Sequence, residues 1–271
     1  MQSASPFDQL AAGYDAEFTH SVIGKMQRGR VWNYLTPILN KAGHALDILE
    51  INCGTGHDAI QLAALGHRVR ATDASASMIE RAMEKMNDQD HGTKELRFSV
   101  CRFDQLHSQF NGQQFDIIFS NFGGLNCIDE AGLSALSNDL HQMMKPGGSL
   151  ILVLMGKCCI REMAHYAIRG KFKQAFRRLG KPVDFTKGDS TIKVYYYSPG
   201  KIKSLFSPGF RSVQNFPVGF FIPPSYLEKK YEGKADRLDR LNQLEKKYDY
   251  SFLSSFSDHY GIILKKAEQG A

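Results

Sequence analysis

Two hydrophobic patterns alternate along the first 155 residues. Residues 45–51, 67–72, 96–101, 115–120 and 149–155 are short apolar runs, rich in Val, Ile, Leu and Phe and bounded by polar or small residues. Such runs predict strands buried on both faces. Between them the apolar positions recur every three or four residues. Ile60, Ala63 and Ala64 share a side of a helix over 58–65, and Met78, Ile79, Ala82 and Met86 share a face of one running from an N-cap at Ser75. Asp129 opens a third helix, through Met144, and Lys145-Pro146-Gly147-Gly148 reads as the turn that stops it. Residues 87–94 read as a polar loop. Ahead of the first strand, Arg28, Val31, Leu35 and Ile38 fall on one face of a helix over 21–39. Strands that alternate with helices in this way predict an α/β, doubly wound sheet.

The chemistry concentrates where the first strand meets its helix. Glu50-Ile51-Asn52-Cys53-Gly54-Thr55-Gly56 is a strand end followed by a small-residue turn. The turn lets a ligand approach the backbone, and the helix behind it offers free N–H groups. Asp73 ends the second strand, where a carboxylate can accept bonds from two ribose hydroxyls. The unit therefore suits a nucleoside-like cofactor. Gly54, Gly56 and Ala59 also satisfy the loose dinucleotide spacing G-x-G-x-x-G/A. Glu50 argues the other way: a carboxylate repels a diphosphate and attracts an ammonium group.

This run resembles the first motif of the class I S-adenosylmethionine-dependent methyltransferases, with Asn52 at the usual first glycine. Asn is the residue other than Gly that best tolerates a left-handed backbone. Asp73 to Ile79 matches the D-x-S-x-x-M-I arrangement of that class, and Tyr14-Asp15 resembles its N-terminal lid segment. The resemblance implies a Rossmann-like seven-stranded sheet whose last strand is antiparallel. It supplies a helix at 201–206, a sixth strand at 210–218 and a seventh at 259–265. Residues 1–44 become lid helices, 45–155 the cofactor core, and 156–271 the rest of the sheet, with cap insertions at 156–192 and 219–257. S-adenosyl-L-methionine is the implied cofactor, and no metal is called for. Its contacts are expected from Tyr14, Arg28, Glu50, Asn52, Cys53, Gly54, Gly56, Asp73, Ala74, Met78, Phe103, Asp104 and Asn121. Asp104 would accept the adenine amine beside Phe103. Arg28 either reaches the methionine carboxylate or is a surface arginine next to Arg30. In a doubly wound sheet ligands lie beyond the carboxyl ends of the strands, so both insertions cap the methyl group. Phe220, Phe221 and Pro223 then face the acceptor, and His259 stands at the mouth as the candidate base; otherwise it only satisfies a strand-end bond.

Composition limits the acceptor without naming it. No apolar run reaches the ~18 residues of a spanning helix, and Met1 to Asp15 lacks the pattern of a secretory leader. The five cysteines show no C-x-x-C spacing, as expected of a reduced, cytoplasmic protein. Net charge is +6, and residues 157–271 hold 22 Lys and Arg against 11 Asp and Glu. A basic C-terminal half fits an anionic acceptor, a membrane surface, nucleic acid or a merely solvated exterior. Phe172, Ala175, Phe176 and Leu179 form an apolar stripe opposite Lys171, Lys173, Arg177 and Arg178, a helix whose basic face could touch an acidic carrier or a membrane periphery. Asn121-Phe122-Gly123-Gly124 after the fourth strand lacks the acid or amide with Pro-Pro that suits amino groups of nucleic-acid bases. The sequence reading is therefore O- or N-methylation of a small-molecule or lipid-like acceptor, free or on an acidic carrier. An NAD(P)- or nucleotide-sugar enzyme and a non-catalytic S-adenosylmethionine-binding module stay open beside it.

Overall fold

A computed structural model describes residues 7–87, 95–187 and 190–267. The loop assigned to 87–94 lies, Asn87 apart, outside the described residues. The strands are β1 (Asp47–Ile51), β2 (Arg68–Asp73), β3 (Leu96–Val100), β4 (Phe115–Ser120), β5 (Met144–Met155), β6 (Val183–Lys187), β7 (Ser190–Val194), β8 (Phe210–Val218) and β9 (His259–Lys266). The first helices are α1 (Ala11–Tyr14), α2 (Val22–Ala42), α3 (His57–Ala64), α4 (Ala76–Asn87) and α5 (Leu106–Gln109). They are followed by α6 (Glu130–Gln142), α7 (Ile160–Ala167), α8 (Phe172–Ala175), α9 (Pro199–Phe206) and α10 (Ala235–Lys247).

Seven strands make one twisted sheet in the order β3-β2-β1-β4-β5-β9-β8. β1 to β5 run parallel, and β9 is antiparallel to both of its neighbours. The seven-stranded, Rossmann-like expectation is met. Strands buried on both faces need apolar partners above and below. Ile48, Val69, Ile117 and Phe119 pack with Val31, Leu35, Ala59 and Leu62 on one face. Leu49, Ile51, Ile118 and Leu152 pack with Leu133, Leu136, Leu140 and Phe206 on the other. Burying each of these Val, Ile, Leu and Phe side chains contributes about 1.5–3 kcal/mol.

Chain order reverses between β1 and β4, so their carboxyl ends diverge and leave a crevice. Met155, His259 and Val218 are paired across β5, β9 and β8, which puts both cap segments and residue 259 at that same edge. Ser21 caps α2 by accepting from the Gly24 N–H at 2.9 Å, and Asp129 caps α6 at 2.8 Å.

Three local expectations need correction. The Lys145–Gly148 turn lies within β5, which starts at Met144; its four residues have no partner in β4, where the pairing jumps from Phe115–Met144 to Ile117–Ser149, and Gly147 takes φ 70°. Lys145 Nζ is drawn in by Asp47 and Asp116, at 2.6 and 2.8 Å. The first insertion contains the β6–β7 hairpin, which sequence reasoning left unassigned. Third, the basic helix over 171–179 is a single turn of α-helix followed by a 3-10 turn, and its two expected faces do not separate: Ala175 is buried while Lys171 and Lys173 are exposed. Arg178 is buried while Phe172, Phe176 and Leu179 are exposed.

Candidate active site

A narrow cleft opens at the β1/β4 crevice, lined by Tyr14, Arg28, Glu50, Asn52, Asp58 and Phe122 among others. Its floor is set by backbone geometry. Asn52 takes φ 53° and Gly54 φ 54°, the left-handed conformation expected of this turn. The Asn52 side chain is spent inside the protein, donating to the Asn121 carbonyl at 2.8 Å and accepting from Ser120. A Cβ on Gly54 would lie 3.7 Å from the Tyr14 ring, so the lid residue covers this glycine. Gly56 is different: a Cβ there would meet Phe98 at 2.7 Å and Ala82 at 2.8 Å. Its φ of 74° and the packing of α3 against β3 and α4 both demand a glycine there.

Asp73 ends β2 as expected, accepting from the backbone N–H groups of Gly54 and Ser75 at 2.9 Å each. Burial pushes its carboxyl above the usual range, against those two N–H bonds. Glu50 is only 1% exposed. Burial, reinforced by the charge of Asp58, pushes it well above the ordinary glutamate value. Cys53 is buried, and its thiol is pushed up by burial and by Glu50.

Arg28 is not the surface arginine that its neighbour Arg30 suggested. It is buried and ion-paired with Asp58, in the first turn of α3. Trp32, one helical turn on from Arg28, donates its indole N–H to the other oxygen of Asp58 at 2.8 Å, and Asn121 Nδ2 donates at 2.9 Å. Burial acts to raise the Asp58 carboxyl, but Arg28 and these donors outweigh it and keep it ionised below the usual range. Asp58 thus joins α2, α3 and the end of β4, and sequence reasoning missed it. An acid in a first helical turn is commonplace; the signal was Arg28 and Trp32 sharing one face of α2.

The lid is latched to this floor. Asp15 accepts from Thr55 Oγ1 at 2.6 Å and pairs with Lys85 at 3.0 Å, while Asp8 accepts from Ser75. Burial raises the Tyr14 hydroxyl to about 12. Three buried atoms here have no hydrogen-bond partner: Glu50 Oε2, Arg28 Nε and Asn121 Oδ1. Each such orphan costs about 1–3 kcal/mol. An acceptor for cations, a cationic donor and an amide oxygen left open together fit the zwitterionic end of an amino-acid cofactor.

The other expected residues spread along the rim. Met78 is fully buried, Ala74 exposed and Phe103 half-buried. Asp104 is exposed and pairs with Arg102 at 3.1 Å. Phe220 and Phe221 are half-buried in a loop whose four N–H groups, from residues 219 to 222, all bond to Glu245. His259 presents its ring to the edge of Phe122, centroids 5.5 Å apart. Its Nδ1 lies 3.1 Å from Asp258 Oδ2 but out of line for a hydrogen bond, so that nitrogen is unsatisfied.

Comparison with known proteins places this geometry. The methyltransferase-domain family matches residues 48–148. The tRNA 5-carboxymethoxyuridine methyltransferase of Escherichia coli is 32% identical over 246 residues, 89% of this chain and 88% of that protein. The demethylmenaquinone methyltransferase of Clavibacter sepedonicus is 27% identical over 154 residues, and the chain spans 57% of its length. Among solved structures, the CcbJ methyltransferase of Streptomyces caelestis shares the fold with a TM-score of 0.61, at 15% identity over 98% of this chain and 99% of that one. The chain belongs to the S-adenosylmethionine-dependent methyltransferases. It is an enzyme of class I, and its cofactor is S-adenosylmethionine. No described helix is long and apolar enough to cross a membrane.

Proposed function

We propose that this enzyme methylates a carboxylate oxygen on an RNA-borne acceptor of the 5-carboxymethoxyuridine type, making a methyl ester. One observation carries the reading. The resemblance to the tRNA enzyme runs over 246 residues, too long to leave out the cap, whereas the demethylmenaquinone enzyme matches over 154. Acceptor choice resides in the cap, so a relative that shares it informs the acceptor most. The run Asn121-Phe122-Gly123-Gly124 speaks against amino groups on bases and is silent on a carboxylate appended to one.

The chemistry is simple. Bound S-adenosylmethionine supplies an electrophilic methyl carbon on a cationic sulfur. A carboxylate lone pair forms the new O–C bond, the C–S pair stays on sulfur, and no proton moves. What the chain must provide is alignment and exclusion of water. Asp73 takes the ribose hydroxyls, Glu50 the ammonium group, and Arg28 the methionine carboxylate through the donors that Asp58 leaves free. Asp104 and Phe103 border the adenine, with Ala74 and Met78 behind it. The Asn52–Gly56 turn carries the methionine end, and Tyr14 closes over Gly54. His259, at the mouth beside Phe122, packs against the cleft wall; a carboxylate has no proton for it to remove.

The test uses labelled methyl donor with RNA containing 5-carboxymethoxyuridine. An ester loses its label as volatile methanol in mild alkali, and that is the expected product. Label that survives alkali, or no label in RNA, sinks this reading and returns the acceptor to the small-molecule or lipid-like class.

A further inference from the structure

One short segment of the cap turns two of its four cations, Arg177 and Arg178, inward and leaves Lys171 and Lys173 exposed. Glu162, on α7, is 1% exposed and receives both arginines of the following 3-10 turn. Arg177 donates to its two oxygens at 2.9 and 3.0 Å, Arg178 at 3.1 and 2.7 Å, and the Tyr226 hydroxyl at 2.8 Å. Arg178 goes on to Asp258 Oδ1 at 2.7 Å and to the carbonyls of Asp258 and Gly156 at 3.0 and 3.3 Å. This cluster pins the turn to the rim where β5 ends and β9 begins, one residue from His259. With the guanidinium groups inside, the apolar residues of the same segment face out. Ile168 is 84% exposed, Phe172 61%, Phe176 48% and Leu179 43%.

A patch of that kind marks an interaction surface. Its charge says which kind. Arg169, Lys171, Lys173 and Lys181 are exposed among the apolar groups, and residues 156–192 hold nine Lys and Arg against three Asp and Glu. Phe172 and Phe176 are four residues apart, one above the other on a helical turn. Exposed rings set among cations are what an unpaired nucleic-acid strand requires: bases stack on the rings and phosphates meet the lysines. A lipid surface would also accept cations and apolar groups, but flat rings on a short, rigidly pinned turn favour stacking over insertion.

Resting on the acceptor reading above, we propose that this surface docks the unpaired strand flanking the modified nucleotide. Phe172 and Phe176 would stack bases, and Lys171 and Lys173 would hold the backbone. The experiment compares wild type with two variants, Phe172→Ser/Phe176→Ser and Lys171→Glu/Lys173→Glu. All four side chains are exposed, so the fold is spared; unchanged S-adenosylmethionine affinity by calorimetry checks this. The acceptors are tRNA bearing 5-carboxymethoxyuridine and the free nucleoside.

Both variants should raise KM for the tRNA by about tenfold and leave kcat/KM for the nucleoside unchanged. The lysine variant should also show a shallower salt dependence of tRNA binding. If wild type esterifies the tRNA and both variants do so with the same KM, the docking proposal is wrong and the acceptor reading stands. If wild type binds the cofactor yet esterifies neither acceptor, the acceptor reading itself fails. Binding to phosphatidylglycerol vesicles or an acidic carrier protein, lost in the variants while tRNA binding persists, would overturn the strand and assign the patch to that partner.

Discussion

The cleft and the cap both bury charge, and they do so to opposite ends. Among the described residues of the cap, the buried carboxylates are saturated. Glu162 receives two arginines and a tyrosine, and Glu245 receives the four consecutive N–H groups of residues 219–222. In the cleft Glu50 keeps an unpartnered oxygen, Arg28 an unpartnered Nε and Asn121 an unpartnered carbonyl oxygen. The saturated carboxylates of the cap fix its loops, whereas the open oxygen of Glu50 is free to accept from a ligand. The contrast separates structural from functional charge more sharply than burial alone, since Glu50, Glu162 and Glu245 are each only 1% exposed.

The largest effect should come from breaking the cap's network. Arg178→Ala leaves Glu162 and Asp258 buried without their shared partner, a loss of about 3–5 kcal/mol, read by urea denaturation. The pH dependence follows in sign. Despite burial, which opposes it, Arg177 and Arg178 hold Glu162 below its ordinary value, and His259 and Arg178 do the same for Asp258. Their stabilisation is therefore complete at neutral pH and is lost as pH falls through the carboxylate range. In Arg178→Ala that acid-side decline should be shallower. A change below about 1 kcal/mol would mean that the cluster is no more than a surface pair.

Next comes the cleft's own anchor. Asp73→Ala removes the acceptor proposed for two ribose hydroxyls, each bond worth roughly 1.5–3 kcal/mol. Cofactor affinity should drop at least tenfold by calorimetry, and unchanged affinity would refute the ribose role.

Legibility in the sequence followed the same division. The centre of the sheet was readable because strands buried on both faces are almost wholly apolar, and 115–120 was assigned to the residue; 210–218, an edge strand with Arg211 and Gln214 exposed, was placed by the family resemblance alone. The Asn52 turn was readable because local backbone chemistry allows few residues there. The β6–β7 hairpin was not, because Phe185 and its neighbours are exposed and carry no core pattern; the dipeptide Gly188-Asp189 was the available signal. The stripe at 171–179 showed two faces without saying which one turns inward. That was decided by Glu162, 15 residues from Arg177. Asp58 was invisible for the same reason, with donors 26, 30 and 63 residues away.

A finer effect tests whether Glu50 waits for a cation. Burial and the Asp58 charge raise its carboxyl well above normal, so it is protonated in the free protein over a range where an ordinary glutamate is ionised. An ammonium group demands the ionised form. Binding must therefore release a proton below the raised pKa, and affinity should climb with pH, by up to about tenfold per unit, before levelling off above it. Calorimetry in buffers of different ionisation enthalpy should report that proton for wild type and none for Glu50→Gln. Equal heats in all buffers would place the ammonium group elsewhere.

The smallest predicted effect is the most informative about the acceptor. His259 stands where the cap meets the cleft, with Asp258 behind its Nδ1 and Phe122 in front. If the acceptor were a hydroxyl or a protonated amine, an imidazole here would remove its proton, a contribution of about 100–10,000-fold. A carboxylate is already the nucleophile. What His259 supplies is then a ring packed against Phe122, whose left-handed backbone, φ 48°, shapes the cleft wall. Gln keeps an N–H donor and much of the volume, so His259→Gln should lower kcat by less than about threefold, well under a base's contribution. Cofactor affinity should not change. A hundredfold loss with that affinity intact would require a proton to leave the acceptor, and would exclude the ester-forming step.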